Sequence, residues 1–420
     1  MISRRPLSLG AALLLASLVL SASSAAPAGG AGEAKALTDA GRDSFVVMAM
    51  RSGGLPGLQT VVVKNGKIVW MKSYGNAVLD QPGPRRPMRN DSLMLSASIP
   101  KTLVTVAVLQ QMEQGKLALD DDINKYLPFS VRNPKWPDTP ITWRMLLTHT
   151  SSLNSEDDDR TDATTVYGTD SVASLEEIAR QDFAPGGARR WADQWRPAKP
   201  GSERIYSNDG YVLVAYVLQR VAHEPFDRYV ERAILKPLGM LSTHYWLAGL
   251  PAEQFSVTYA SARQPDGGYK FFPAQAFWAH RSAGGSILEH QITCPDYPVG
   301  CVHITARDFA QLMIMLMNKG IGNNTRILAP SSVELMVTPP SFRNLDGWSQ
   351  SVGLHGPLDL RGRQLWGHGG VDRAAANSFY FNPTSRIGAI AFANANANDA
   401  DFALSYGVDD IALNLMEWFE

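Results

Sequence analysis

The segment Ser98-Ile99-Pro100-Lys101-Thr102-Leu103-Val104-Thr105-Val106-Ala107-Val108-Leu109 sets a hydroxyl and an amine at the head of an apolar run. Leu103, Val106, Leu109, Met112 and Leu117 recur at three- to five-residue steps, with Gly115 near the end, so a helix is expected from Lys101 onward. Pro100 suits a first helical turn, where its missing N–H costs nothing. Residues three apart share a helix face, which puts the Lys101 amine beside the Ser98 hydroxyl. A serine hydroxyl is a poor nucleophile until a base takes its proton, and a crowded, partly desolvated lysine is neutral enough to help. A helix start also offers N–H groups to an oxyanion. About one Ser-x-x-Lys is expected by chance in a chain of this length; this is the only one present.

Outward from that helix the pattern changes on both sides. Gly57–Asp80 reads as a hairpin, with Val61, Val62 and Val63 leading to a turn at Asn65-Gly66 and Ile68, Val69 and Trp70 following. Helical periodicity dominates the middle, at Trp143–Leu147, Leu175–Gln181, Tyr211–Ala222, Phe226–Ile234, Asp308–Asn318 and Ser331–Val337. Beyond Gly347 strands return at Gln364–Trp366, Asn377–Asn382 and Ile387–Ala393, and Val408–Phe419 closes the chain as an amphipathic helix. No internal repeat is visible. Strands at both ends around a helical middle predict an α+β fold with one sheet built from both termini and an inserted helical domain. The boundaries expected are 37–90 and 335–420 for the sheet domain and 91–334 for the helical one.

Two further motifs carry candidate chemistry. Tyr-x-Asn occurs three times, at Tyr74-Gly75-Asn76, Tyr206-Ser207-Asn208 and Tyr380-Phe381-Asn382, so the pattern alone decides nothing. Tyr74 and Tyr380 fall in expected strands, whereas Tyr206 stands in a loop just before a helix, where functional groups are common. Trp366-Gly367-His368-Gly369-Gly370 lies on an expected strand. Glycines there mark either a bulge or a close backbone approach by a ligand.

Composition narrows the class. The 420 residues carry 39 Lys+Arg against 40 Asp+Glu, a formal charge of −1, with 45% hydrophobic residues. That is an ordinary globular balance, with no basic field to draw nucleic acid or an anionic membrane. Arg4 and Arg5, the apolar run Leu7–Leu20 and the small residues Ser21–Ala28 read as a secretory signal peptide over residues 1–26, cut between Ala22 and Ala28. The run is shorter than the ~20 residues of a membrane span. Its removal moves the formal charge from −1 to −3, since it takes two arginines and no acids. A secreted or periplasmic protein is therefore expected, without stable membrane insertion. In such a compartment the two cysteines, Cys294 and Cys301, are expected to form a disulfide across a short turn. The acidic run Glu156–Asp159 reads as a solvated loop, because it lacks the alternating spacing of a calcium loop. Eight scattered histidines suggest no metal site by number.

In order along the chain, Ser98-x-x-Lys101, Tyr206-x-Asn208 and His368-x-Gly370 resemble the motif set of the serine β-lactamase-related superfamily. They are most similar to its class C-like branch, which holds class C β-lactamases, family VIII esterases, D-amino-acid-specific peptidases and penicillin-binding carboxypeptidases. The likeness continues through Leu109–Pro128, Ile141–Leu153, Tyr206–Met240, Ala283-Gly284-Gly285 and Thr305–Met336, covering roughly residues 45–395. It implies an antiparallel sheet flanked by helices, a helical domain and an active site at their junction, without metal or organic cofactor. It further implies Ser98 as the acylated nucleophile, Lys101 and Tyr206 sharing the proton work, and Asn208 orienting Lys101 or a substrate amide. The backbone N–H groups of Ser98 and Val371, beside His368, Gly369 and Gly370, would form the oxyanion hole.

Three departures bear on substrate. Many relatives carry Lys in the third motif, where a cation holds a carboxylate; His368 is mostly neutral at pH 7. This tilts the expectation from β-lactams toward esters, amides or peptides, with Arg373 as a replacement cation or a solvated surface residue. Ser152 stands where relatives usually have Gly. The cysteine loop is inserted between Gly285 and Ile304, either narrowing the cleft mouth or decorating the surface. The expected function is an exported serine hydrolase acting through an acyl-enzyme on a small molecule or peptide. Alternatives are a β-lactamase, a penicillin-binding sensor that acylates without efficient turnover, and an inactive interaction protein.

Overall fold

Asn65 and Gly66 both adopt positive φ, 52° and 76°, the geometry of a two-residue turn that matches strand twist. They join β1 (Gly57–Lys64) to β2 (Lys67–Val78), the hairpin expected from sequence. β3 (Arg86–Pro87) extends this edge. The C-terminal strands are β4 (His355–Leu360), β5 (Arg363–Asp372), β6 (Ala375–Asn382) and β7 (Ile387–Ala393). Together they form a seven-stranded antiparallel sheet in the order β4-β5-β6-β7-β1-β2-β3. The two chain ends meet where β1 pairs with β7, Leu58 opposite Ala393 and Lys64 opposite Ile387.

Period-two alternation explains why both faces are covered. Val62, Tyr380, Ala389 and Ala391 pack with Val46 and Met50 of α1 (Asp39–Ser52) and with Val408, Ile411 and Leu415 of α9 (Ser405–Phe419). Val61, Val63, Phe379, Phe381, Ile390 and Phe392 belong to the larger core on the opposite side. The computed structural model describes residues 38–154, 165–188, 194–278, 284–339, 343–344, 349–372, 375–397 and 405–420. The signal-peptide reading, the acidic run Glu156–Asp159, Ala283 and Arg373 lie outside them. Residues Asp39–Glu420 form one compact unit, and among the described residues no helix is long and apolar enough to cross a membrane.

The middle of the chain supplies α2 (Lys101–Glu113), α3 (Trp143–Leu147), α4 (Leu175–Phe183), α5 (Asn208–Ala222), α6 (Phe226–Val230), α7 (Ala306–Met317) and α8 (Pro330–Val337). Residues Lys101 to Leu109 of α2 are buried on every side, as befits a helix enclosed by others rather than one with a single apolar stripe. Phe309 on α7 meets Phe379 of the sheet edge-on at 4.6 Å between ring centres. Short ladders interrupt the helices: His303–Ile304 pairs with Met94–Leu95 on one side and Thr243–His244 on the other. The helix expected over Phe226–Ile234 is α-helical only to Val230, then widens into a π turn over Glu231–Leu235. Helix α1 was not foreseen, because only Val46 and Met50 of its fourteen residues are buried.

Candidate active site

Ser98 does not sit inside α2 but on the turn that feeds it. Lys101 N donates to Ser98 O at 3.3 Å and Thr102 N to Ile99 O at 3.2 Å. These are tight i to i+3 bonds, in which side chains three apart eclipse. The Lys101 Nζ accordingly lies 3.0 Å from Ser98 Oγ. Ala97, just before the serine, has φ of 48°, a left-handed conformation that costs a non-glycine residue on the order of 1 kcal/mol. It is over-determined by its surroundings: Ser96 N donates to Val302 O at 2.9 Å, and Asn377 Nδ2 of β6 donates to Leu95 O at 2.9 Å. Lys101 is fully buried. Burial lowers its pKa to about 7, against the opposing pull of Asp296 and Asp372. At neutral pH a large share of the amine is therefore uncharged, with a lone pair free to take a proton.

Tyr206 enters from the loop before α5. Ser207 caps that helix, its Oγ accepting from Gly210 N at 3.1 Å. Its own N–H donates to His149 Nδ1 at 3.1 Å, which leaves the imidazole proton on Nε2. The phenol ring lies tilted against His149 with 4.4 Å between ring centres, and the Lys101 Nζ lies 5.2 Å from the phenol ring centre. Burial raises the Tyr206 pKa, while a hydrogen bond with Ser98 and the charge of Arg204 pull it down. It is a neutral phenol at pH 7. Ser98, Lys101 and Tyr206 thus converge although the third comes from more than a hundred residues away. Asn208 opens α5 with its buried Oδ1 unpartnered among the described residues. The described bonds of Lys101 run to Ser98 Oγ and to Val299 O at 2.8 Å, not to Asn208.

The third motif occupies β5. A Cβ on Gly370 would come within 2.8 Å of Ser96 O and 3.1 Å of Ser98 N, whereas one on Gly369 would meet nothing within 4 Å. Gly370 is therefore a close backbone approach to the serine turn, and Gly369 borders open space. Val371, next along, is exposed. His368 is buried, stacks on His355 at 4.3 Å, and has its pKa lowered to about 3 by burial and by Lys101. His355 Nε2 faces Arg204 Nη2 at 3.5 Å as the acceptor, since a guanidinium only donates, and burial holds both His149 and His355 well below the usual imidazole range. None of the three histidines is a cation at neutral pH. His149 and His355 were not singled out from sequence; no local motif marks a histidine that packs against a distant tyrosine.

Cys294 and Cys301 are joined by a disulfide. Their loop does not merely decorate the surface. Tyr297 and Val299 are buried, and Val299 contributes the carbonyl that faces the Lys101 amine. Ser152, at φ of 64°, adopts a conformation that favours glycine; Asn133 Nδ2 donates to its hydroxyl at 2.9 Å.

An antiparallel sheet with helices on both faces, with these motifs brought together at its edge with the helices, is the β-lactamase-like class of fold. The Beta-lactamase family model matches residues 42–413, and the chain belongs to that family. Protein flp of Staphylococcus aureus (strain MRSA252) is 29% identical over 207 residues, 48% of this chain and 37% of that protein. Beta-lactamase-like protein 2 of Dictyostelium discoideum is 26% identical over 308 residues, 72% of this chain and 49% of that protein. The chain thus spans about half the length, or less, of these relatives. The octameric penicillin-binding protein homologue from Pyrococcus abyssi superposes with a TM-score of 0.69 at 22% identity, over 91% of this chain and 77% of that one. At that identity the likeness speaks to fold alone.

Proposed function

We propose that the protein is an exported serine hydrolase that cleaves uncharged ester, amide or peptide bonds through an acyl-enzyme. The observation that carries this reading is the 3.0 Å separation between Ser98 Oγ and a fully buried Lys101 amine whose pKa burial lowers to about 7. Lys101 takes the Ser98 proton as Oγ attacks the substrate carbonyl. Backbone N–H groups of Ser98 and Val371 hold the developing oxyanion, Gly370 being the residue whose missing side chain leaves that approach open. Tyr206, kept protonated by burial, donates to the leaving group. Water then releases the acid by the same path in reverse, and Asn208 Oδ1 remains available to a substrate amide N–H. A neutral His368 offers no charge for a carboxylate, which favours esters and amides over β-lactams. The disulfide fits an oxidising compartment and so supports export.

A penicillin-binding role with slow deacylation is the second reading, favoured by the family and by the intact nucleophile. Assays of short p-nitrophenyl acyl esters, nitrocefin and D-Ala-D-Ala peptides side by side separate the two. Turnover of esters, lost in Ser98→Ala, is the expected result. A stoichiometric burst with a stable adduct by mass spectrometry selects the sensor, and undiminished hydrolysis by Ser98→Ala removes the serine mechanism altogether.

A further inference from the structure

The segment between Cys294 and Cys301 reaches the group proposed as the base. Val299 O accepts from Lys101 Nζ at 2.8 Å, and the same loop brings Gly300 O to 3.3 Å from Ser96 Oγ. Val299 N in turn donates to Asp296 O at 3.0 Å, a short helical turn closed over Tyr297–Val299. The loop is anchored at three points. Ile292–Thr293 pairs with Val166–Tyr167 just before it, and His303–Ile304 pairs with Met94–Leu95 just after it. Tyr297 inserts its ring among Tyr245, Trp246 and Phe226, at 5.2, 4.8 and 6.1 Å. The disulfide closes the base of the loop with both cysteines buried.

Resting on the serine-hydrolase reading, we propose that the disulfide-closed loop Cys294–Cys301 is a positioning device for catalysis, holding the Val299 carbonyl against the Lys101 amine and keeping water from it. That amine is dry because α2 buries its stem and the loop covers its head. Its other ionisable neighbours are Tyr206, Asp296 on the loop itself, Asp372 and His368 on β5, His149 after α3 and His355 on β4. The three histidines are held neutral and the phenol protonated around pH 7, so among these the loop is the element whose loosening rehydrates the ammonium. Opening the loop removes the Val299 acceptor and the Asp296 charge, both of which favour the ammonium, but it also removes burial, the largest influence on this amine, so the net movement is back toward the ordinary lysine range.

The test is the pH profile of kcat/KM for a p-nitrophenyl acyl ester in Cys294→Ser/Cys301→Ser, normalised to active sites titrated with a fluorophosphonate. The ascending limb should move up by about one pH unit or more. That is a loss of about fivefold or more at pH 7 which recovers by about pH 9.5. A structural role alone lowers the titratable fraction and leaves the limb where it was; that result, or an unchanged profile, overturns the proposal. Should the double variant fail to fold, Pro298→Gly keeps the disulfide while loosening the turn that carries Val299, and the same shift or its absence decides. Failure of the underlying reading looks different: the unmodified protein would show no ester turnover at any pH, or Ser98→Ala would retain it.

Discussion

A buried lysine amine whose described bonds run to a hydroxyl and a carbonyl, not to a carboxylate, is pushed toward its neutral form chiefly by desolvation. Because burial sets the Lys101 pKa at about 7, the sign of the pH dependence follows directly. Below that value the amine is protonated and has no lone pair for the Ser98 proton, so kcat/KM should fall about tenfold per pH unit on the acid side and level off above it. Tyr206, pushed up by burial, and His368, pushed down to about 3, add no limb between pH 5 and 10. A pH–rate profile with a single ascending limb is the expected outcome, and a second limb near 6.5 would assign the proton transfer to a histidine instead. Lys101→Arg should be as inactive as Lys101→Ala, several orders of magnitude down in single-turnover acylation, because a guanidinium keeps its proton. At this scale Ser98, Lys101 and Tyr206 were legible, since spacing and order along the chain carried them. The Val299 carbonyl was not: every residue has a carbonyl, and only the packed loop shows which one meets the amine.

Elements bring these residues together by close backbone approach, and the glycines of β5 show where. Gly369 and Gly370 are neighbours with opposite surroundings: open space at the first, Ser96 O and Ser98 N at the second. Gly370→Ala should therefore push β5 off the serine turn and cost about 10²-fold or more in kcat, the scale of a lost oxyanion donor. Gly369→Ala should change kcat by less than about fivefold, with any effect confined to KM. Steady-state ester kinetics on the two variants check this, and equal losses would place the oxyanion site elsewhere. The strand carrying His368-Gly369-Gly370 was legible as a strand, but bulge and ligand approach were indistinguishable from sequence. The difference between adjacent glycines depends on what a strand from the other end of the chain sits against. Helix α1 was illegible for a related reason: two buried positions four apart leave too short a stripe to stand above background.

At the scale of the molecule the site is assembled from four distant segments: the start of α2, the loop before α5, strand β5 and the disulfide loop. All seven strands of the large sheet come from outside residues 91–334. We accordingly propose the division into a sheet layer (37–90 with 335–420) and a helical layer (91–334), with α7 as the element that ties them. Phe309 is its wedge, fully buried, edge-on to Phe379 at 4.6 Å and tilted against Phe392 at 5.9 Å. Removing that ring leaves a cavity between helix and sheet that neither side can fill by a side-chain turn alone. Phe309→Ala should cost about 3–5 kcal/mol in urea unfolding, a large share of the ~5–15 kcal/mol that holds an ordinary domain. Phe309 has no described contact with Ser98, Lys101 or Tyr206, so kcat per fluorophosphonate-titrated site should stay within about twofold at low temperature. A large stability loss with intact turnover identifies α7 as scaffold. A parallel collapse of kcat in the folded enzyme would mean instead that the sheet–helix contact transmits strain to the serine turn.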